Sequence, residues 1–318
     1  MPVAAPWAAA GAQGRGPLDT AREAGRRVPF SARIEVSWVD RAGLHTAELG
    51  VRAAGGQIRV QSSGGTGEGL AGGSALLQAS AAAVTDEAGG DLLVPALERK
   101  YDVERRDGPV VAGRPTELFV LRSKGAIREK LAIDRATSLV LRREVFGAEG
   151  RPVRIVNVLQ LDTAPVPEAA DAGARASGGP EMVRVGRLPA AYRGPEALAG
   201  GFRRVGAYRH ERLVQVLYTD GLHGMSLFSQ PGTLSGGTLP PGGEAVRVGS
   251  TSGLRYTWSG GEVVTWQTGH LVHTLVGDAT PGDLLAAARS LPRAARPSWV
   301  ARLRGTSRLV AELVSGGR

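Results

Sequence analysis

Apolar and polar residues alternate in several stretches of the first half of the 318-residue chain. From Phe30 to Val39, the residues Phe30, Ala32, Ile34, Val36 and Trp38 share one parity. Ser31, Arg33, Glu35 and Ser37 share the other, which is the period of a half-buried strand. Asp40-Arg-Ala-Gly43 turns that strand back into Leu44–Val51, and Gln57–Gln61 makes a third. A stretch from Val110 to Asp162 then reads as four strands: Glu117–Leu121, Ile127–Ile133, Leu139–Phe146 and Val153–Leu161. Ser-Lys-Gly at 123–125, Asp-Arg-Ala-Thr at 134–137 and Gly-Ala-Glu-Gly at 147–150 join them. In the second of these, Ile127, Glu129, Leu131 and Ile133 lie on one face, against Arg128, Lys130 and Ala132. Leu18–Val28 is expected to be a short helix ending before Pro29, Ser74–Val84 a helix across the open face, and Arg99–Arg105 a further strand.

Between Thr163 and Met182, prolines and small or charged residues leave nothing to bury, and the segment reads as a linker. Beyond it the expected strands are Val183–Leu188, Gly201–Arg209, Leu213–Tyr218, Met225–Phe228, Ala245–Val248, Gly253–Trp258, Glu262–Trp266 and Leu271–Val276. Asp220-Gly221 is a hairpin signal. Thr280 suits the N-cap of a closing helix, with Pro281 at its first position and Asp283 at its positive end.

Composition adds limits. Forty-six glycines and 5% aromatic residues fit a turn-rich β protein better than a helical bundle. No apolar run approaches the roughly 18 residues of a membrane span. The absence of cysteine excludes disulfides, thiolate metal sites and a cysteine nucleophile. Met1–Gln13 lacks the basic start and long apolar core of a complete signal peptide. The net charge of +9 is concentrated at the end, where seven arginines between Arg289 and Arg318 face the single acid Glu312. Ser298–Val314 reads as a basic amphipathic helix, fit for an anionic membrane surface or for packing back on the second half. Nothing in the pattern points to nucleic acid.

Candidate chemistry is sparse. The Gly64–Gly73 run lacks the lysine and setting of a phosphate loop. His270 and His273 have odd spacing on an expected strand, which rules against a shared metal, and His223, after the hairpin turn, is expected to be solvated. His45 is expected on the wet side of its strand. Glu117 with Glu129, or Asp102 with Glu104, are conceivable acid–base pairs, but outward carboxylates are ordinary on such sheets. No nucleophile elbow appears. The reading is of a chain without catalytic residues, metal or cofactor.

Lys130-Leu-Ala-Ile-Asp-Arg-Ala-Thr-Ser-Leu-Val-Leu-Arg-Arg143 resembles the central hairpin of LolA-like proteins. In the second half, Leu188-Pro189, Gly201-Phe202, Val216-Leu-Tyr-Thr-Asp-Gly-Leu222 and Ser226-Leu-Phe228 occur in the order found in the RseB/MucB family of sigma-factor regulators. The resemblance implies a mainly β (α+β) fold. A leader and helix (1–27) would precede a LolA-like antiparallel half-barrel with covering helices (28–162). A linker (163–182), a smaller antiparallel β domain with a closing helix (183–292) and a basic tail (293–318) would follow. It also implies a non-enzymatic, extracytoplasmic regulator that binds the exposed part of a membrane anti-sigma factor and modulates its proteolysis. The export signal would then lie upstream of Met1. The alternative is a carrier or sensor for lipid or acyl chains without that partner. Phe30, Ile34, Trp38, Leu131 and Ile133 are the candidates to line a ligand face. Tyr218, Trp258 and Trp266 are the candidates to meet a partner, although such residues are more often core.

Overall fold

A computed structural model describes residues 16–54, 57–62, 97, 99–164, 181–234, 242–258 and 260–291. The helix α1 (Pro17–Arg27) leads into a first sheet. Its strands are β1 (Phe30–Asp40), β2 (Gly43–Ala54), β3 (Gln57–Ser62), β4 (Asp102–Asp107), β5 (Thr116–Ser123), β6 (Ala126–Asp134), β7 (Val140–Phe146) and β8 (Pro152–Asp162). The order across the sheet is β3-β2-β1-β8-β7-β6-β5-β4, antiparallel throughout. Two meanders therefore meet where β1 pairs β8. Register shifts at Arg33/Ile34, Leu121/Arg122, Ala132/Ile133 and Val145/Phe146 bend these ladders, and the sheet curls into a half-barrel.

Local chemistry sets the turns. Lys124 and Gly125 both take positive φ, 53° and 77°, as a two-residue hairpin loop requires. At the next turn the Asp134 carboxylate accepts from Thr137 N at 3.0 Å and from Arg114 Nη2 at 2.8 Å.

The second sheet contains β9 (Glu181–Met182), β10 (Ala197–Leu198), β11 (Phe202–His210), β12 (Leu213–Thr219), β13 (Gly224–Pro231), β14 (Glu244–Val248), β15 (Thr251–Trp258), β16 (Gly261–Thr268) and β17 (Leu271–Gly277). Its order is β10-β11-β12-β13-β17-β16-β15-β14, with β9 added along β11. Helix α2 (Pro281–Ser290) closes it, burying Leu284, Ala287 and Ala288. Thr280 caps its start by accepting from Asp283 N. The core of this half gathers Phe202, Val216, Tyr218, Leu227, Val264, Trp266 and Leu275.

The expected elements stand, with boundary changes and two corrections. Val183–Leu188 is not a strand: Val185–Arg187 forms a 3-10 turn, and the pairing falls on Glu181–Met182. Arg99 and Lys100 are helical, and the strand begins only at Asp102. The expected helix at 74–84, the glycine run at 64–73 and the basic tail lie outside the described residues, as do positions 165–180 of the linker.

The joint between the sheets as a candidate functional site

Directly opposed residues across the ladders place Trp38, Arg154, Val145 and Glu129 on one face of the first sheet. Ile34, Val36, Val156, Arg143 and Leu131 lie on the same face. This face carries two kinds of surface. Leu131 and Ile133 pack with Ala21 of α1, Tyr101, Phe119 and Leu121. Phe30 and Ile34, only partly buried, pack against Ala24, Leu141 and Val158. Glu129, Arg143 and Arg154 sit beside these apolar groups. A bare carboxylate there would carry a heavy desolvation cost.

Groups from the second sheet meet that need. The β12–β13 turn is shaped by its own side chains. Asp220 Oδ1 accepts from Leu222 N at 3.0 Å and from His223 N at 2.7 Å, while Thr219 Oγ1 accepts from Gly221 N. Gly221 takes φ 95°. The turn thereby aims His223 and Leu222 at the first sheet. Leu222 joins the Leu131 and Ile133 cluster. His223 is 2% exposed, and its Nε2 lies 3.2 Å from Glu129 Oε2. The pair is a charged contact between a buried imidazolium and a buried carboxylate. His223 Nδ1 lies 3.6 Å from Asp220 Oδ2.

Other groups complete the joint. Arg143 donates to Glu129 through Nε and to Asp278 through Nη1 at 2.8 Å. Arg154 donates to the Asp278 carbonyl oxygen. Tyr101 donates to Asp220 Oδ2 at 2.6 Å, and Lys100 pairs with the same carboxylate. Arg128 reaches Asp283 in the first turn of α2, and Arg41 reaches Glu244 at 2.5 Å.

The electrostatics follow from this crowding. Burial pushes the Glu129 carboxyl up, but Arg143 and His223 outweigh it and hold the group below its usual range. Burial likewise works against the Asp220 carboxylate, yet His223 and Lys100 drive it far down. Burial disfavours the His223 imidazolium, and the two carboxylates still raise it to about 9. Burial, with the neighbouring Arg143 charge, lowers Arg154 against the pull of Asp278, Glu129 and Glu262. Glu262, 3% exposed, is pushed up to about 7 by burial, against a hydrogen bond from Thr257.

An imidazole held charged near neutrality is a poor general base. The arrangement suits holding two bodies together. Among the described residues, no group of three or more His, Asp or Glu is placed for a metal.

The sequence-derived candidates fall in separate places. Trp38 stacks on His45 at 5.3 Å, and the two rings share a face, so His45 is not on the wet side as expected. Trp38 also lines a narrow inter-sheet cleft with Val39, Arg154, Trp258, Glu262 and Pro281. Trp258 thus stands across from Trp38, its indole N–H buried without an acceptor. Tyr218 is fully buried, its hydroxyl donating to Pro195 O at 3.1 Å. Trp266 is 4% exposed and stacks on His273. Both are core residues of the second sheet. His270 lies in the turn before β17.

Two further expectations are corrected. His223 is buried, because the turn that carries it docks on the first sheet. Glu129 is wholly buried, because His223 and Arg143 neutralise it. The signal for both was present: a lone carboxylate on the apolar parity of β6 demands a distant cation.

No family model matches this chain, and no curated protein matches it. Among solved structures it is similar to MucB in complex with MucA(peri), at 22% identity. That match covers 88% of this chain and 98% of the other, with a TM-score of 0.45. It is also similar to MucB alone, at 19% identity, covering 86% and 96% with a TM-score of 0.47. A third similar structure is the MucA/MucB complex of Pseudomonas aeruginosa, at 22% identity, covering 88% and 98% with a TM-score of 0.45.

Proposed function

We propose that this chain is a non-enzymatic regulator acting outside the cytoplasmic membrane. It binds the extracytoplasmic part of a membrane anti-sigma factor and thereby modulates that partner's proteolysis. The observation that supports the reading most is the ordered motif set of the second half. Its Tyr218-Thr-Asp-Gly-Leu222 element is the turn that docks on the first sheet. Two sheets joined by ion pairs, with charged groups occupied by one another, suit binding better than bond-breaking chemistry.

The test is calorimetric titration of the full chain with the extracytoplasmic segment of a single-span protein encoded beside it. Saturable 1:1 heat, together with slower cleavage of that segment by its protease, is expected. Absence of heat at concentrations of about 100 μM would overturn the reading, since a regulatory partner should bind in the micromolar range or tighter.

A second reading rests on Phe30 and Ile34, which stay partly exposed beside buried Ala24, Leu141 and Val158. This part of the half-barrel face would take an acyl chain. A fluorescent fatty acid should bind the full chain and lose affinity in Ile34→Asp; equal binding by both would remove the reading.

A further inference from the structure

The joint has an unusual make-up. Leu222 is the described apolar side chain of the second half that enters a core cluster of the first. Around it most of the contact is ionic or hydrogen-bonded: His223 with Glu129, Arg143 and Arg154 with Asp278, Lys100 and Tyr101 with Asp220, and Arg128 with Asp283, while Trp38 and Val39 face Trp258 and Pro281 across a narrow cleft. Each half also has its own core. A joint built this way can open without unpacking either sheet, whereas a large apolar interface could not.

We infer that the Thr219–Gly224 turn is a charge latch, with protonated His223 as its bolt, and that the two sheets swing apart when the bolt loses its charge.

His223 stands at the centre of the latch geometry. Its own turn supplies Asp220. From β6 it meets Glu129, with Arg143 of β7 behind that carboxylate. Asp278, after β17, feels its charge and is bonded by Arg143 and Arg154. Lys100 and Tyr101, before β4, hold the far side of Asp220. Removing the imidazolium charge leaves the Glu129 carboxylate with Arg143 alone and the Asp220 carboxylate with Lys100 and Tyr101.

The direction of the pH effect follows. The imidazole rises from 6.5 to about 9 in the closed form. Asp220 is on the same turn and keeps its share of that rise when the joint opens, so the share supplied by Glu129 is what favours closure with the ring charged. That advantage is present while the ring is charged, declines as pH rises, and is gone above about pH 9. The latch therefore tightens in mild acid and loosens in mild alkali. Opening withdraws Leu222 from Leu131 and Ile133 and separates Trp38 from Trp258.

The chain has no cysteine of its own, so two exposed positions can be spin-labelled cleanly: Ala148→Cys in the β7–β8 turn of the first sheet and Ser252→Cys on β15 of the second. Double electron–electron resonance should give one narrow distance at pH 6. It should broaden and lengthen by pH 9.5, with β-sheet circular dichroism unchanged. His223→Gln should show the broad distribution already at pH 6 and no further response to pH. A narrow, unchanged distance in the unsubstituted latch at both pH values would overturn the inference. So would a His223→Gln chain that still responds to pH as the parent does. If His223→Gln fails to fold, the parent titration decides alone. No partner enters the experiment, so its outcome is independent of the proposed anti-sigma role.

Discussion

Arg143 and Asp278 lie 135 positions apart in the chain, yet Arg143 Nη1 stands 2.8 Å from the Asp278 carboxylate. Arg143 also holds the fully buried Glu129. Arg143→Ala would strip two carboxylates of their cation at once. Breaking a buried pair from one side costs about 3–5 kcal/mol. Urea unfolding at pH 7 should show a loss of that order. Arg143→Lys should recover only part of it, because one ammonium cannot serve both acids in fork geometry.

Glu262 gives a prediction of opposite sign. Its folded value of about 7 exceeds the ordinary 4.5, so the carboxylate destabilises the fold increasingly as pH rises between those values. Glu262→Gln keeps an acceptor for Thr257 and removes the charge. Its urea midpoint should match the parent at about pH 4 and exceed it at pH 8.5. A variant no more stable than the parent at pH 8.5 would show that Arg255 and Arg154 already compensate the acid.

Asp134 behaves as an ordinary depressed carboxylate. Burial raises it, but hydrogen bonds from Arg114 and Thr137 win and lower it. Its contribution is present above the usual 3.8 and is lost as pH falls through the depressed value. Asp134→Asn should cost about 1–3 kcal/mol at pH 7, and the difference from the parent should shrink in acid titration below pH 3.

Gly194 has φ +57°, and a Cβ built there would overlap the Tyr218 hydroxyl. Tyr218 cannot step aside, being fully buried and bonded to Pro195 O. Gly194→Ala should therefore destabilise the second sheet by about 3 kcal/mol. Gly194→Ala combined with Tyr218→Phe, which removes the clashing oxygen, should recover part of that loss in thermal melts.

Strands and turns were legible in the sequence because their signals are local. The alternation of Phe30 to Trp38 is the strand β1, and Lys124-Gly125 and Asp134–Thr137 are turns by their own chemistry. The Thr280-Pro281 cap was readable for the same reason. Docking was not legible, since a period of two says which residues share a face and not what covers it. Phe30 and Leu131 share a face but belong to different clusters, and Trp38 looks across a cleft at Trp258. The short Val183–Leu188 run failed as a strand because Gly186, Pro189 and neighbouring carbonyl–guanidinium bonds from Arg193 favour a coiled path. His223 could have been placed only by asking which cation answers Glu129.

The ion pairs across the joint also impose an order on manufacture. A ribosome finishes β6 and β7 well before it adds His223 and Asp278, and domains generally fold from the amino end during synthesis. The nascent first sheet must therefore keep Glu129 hydrated, with Arg143 as its one companion, until the later residues arrive. Truncated chains ending near Asp162 would remain in that waiting condition: soluble on one side, wet where the finished protein is dry, and more easily cut by proteases.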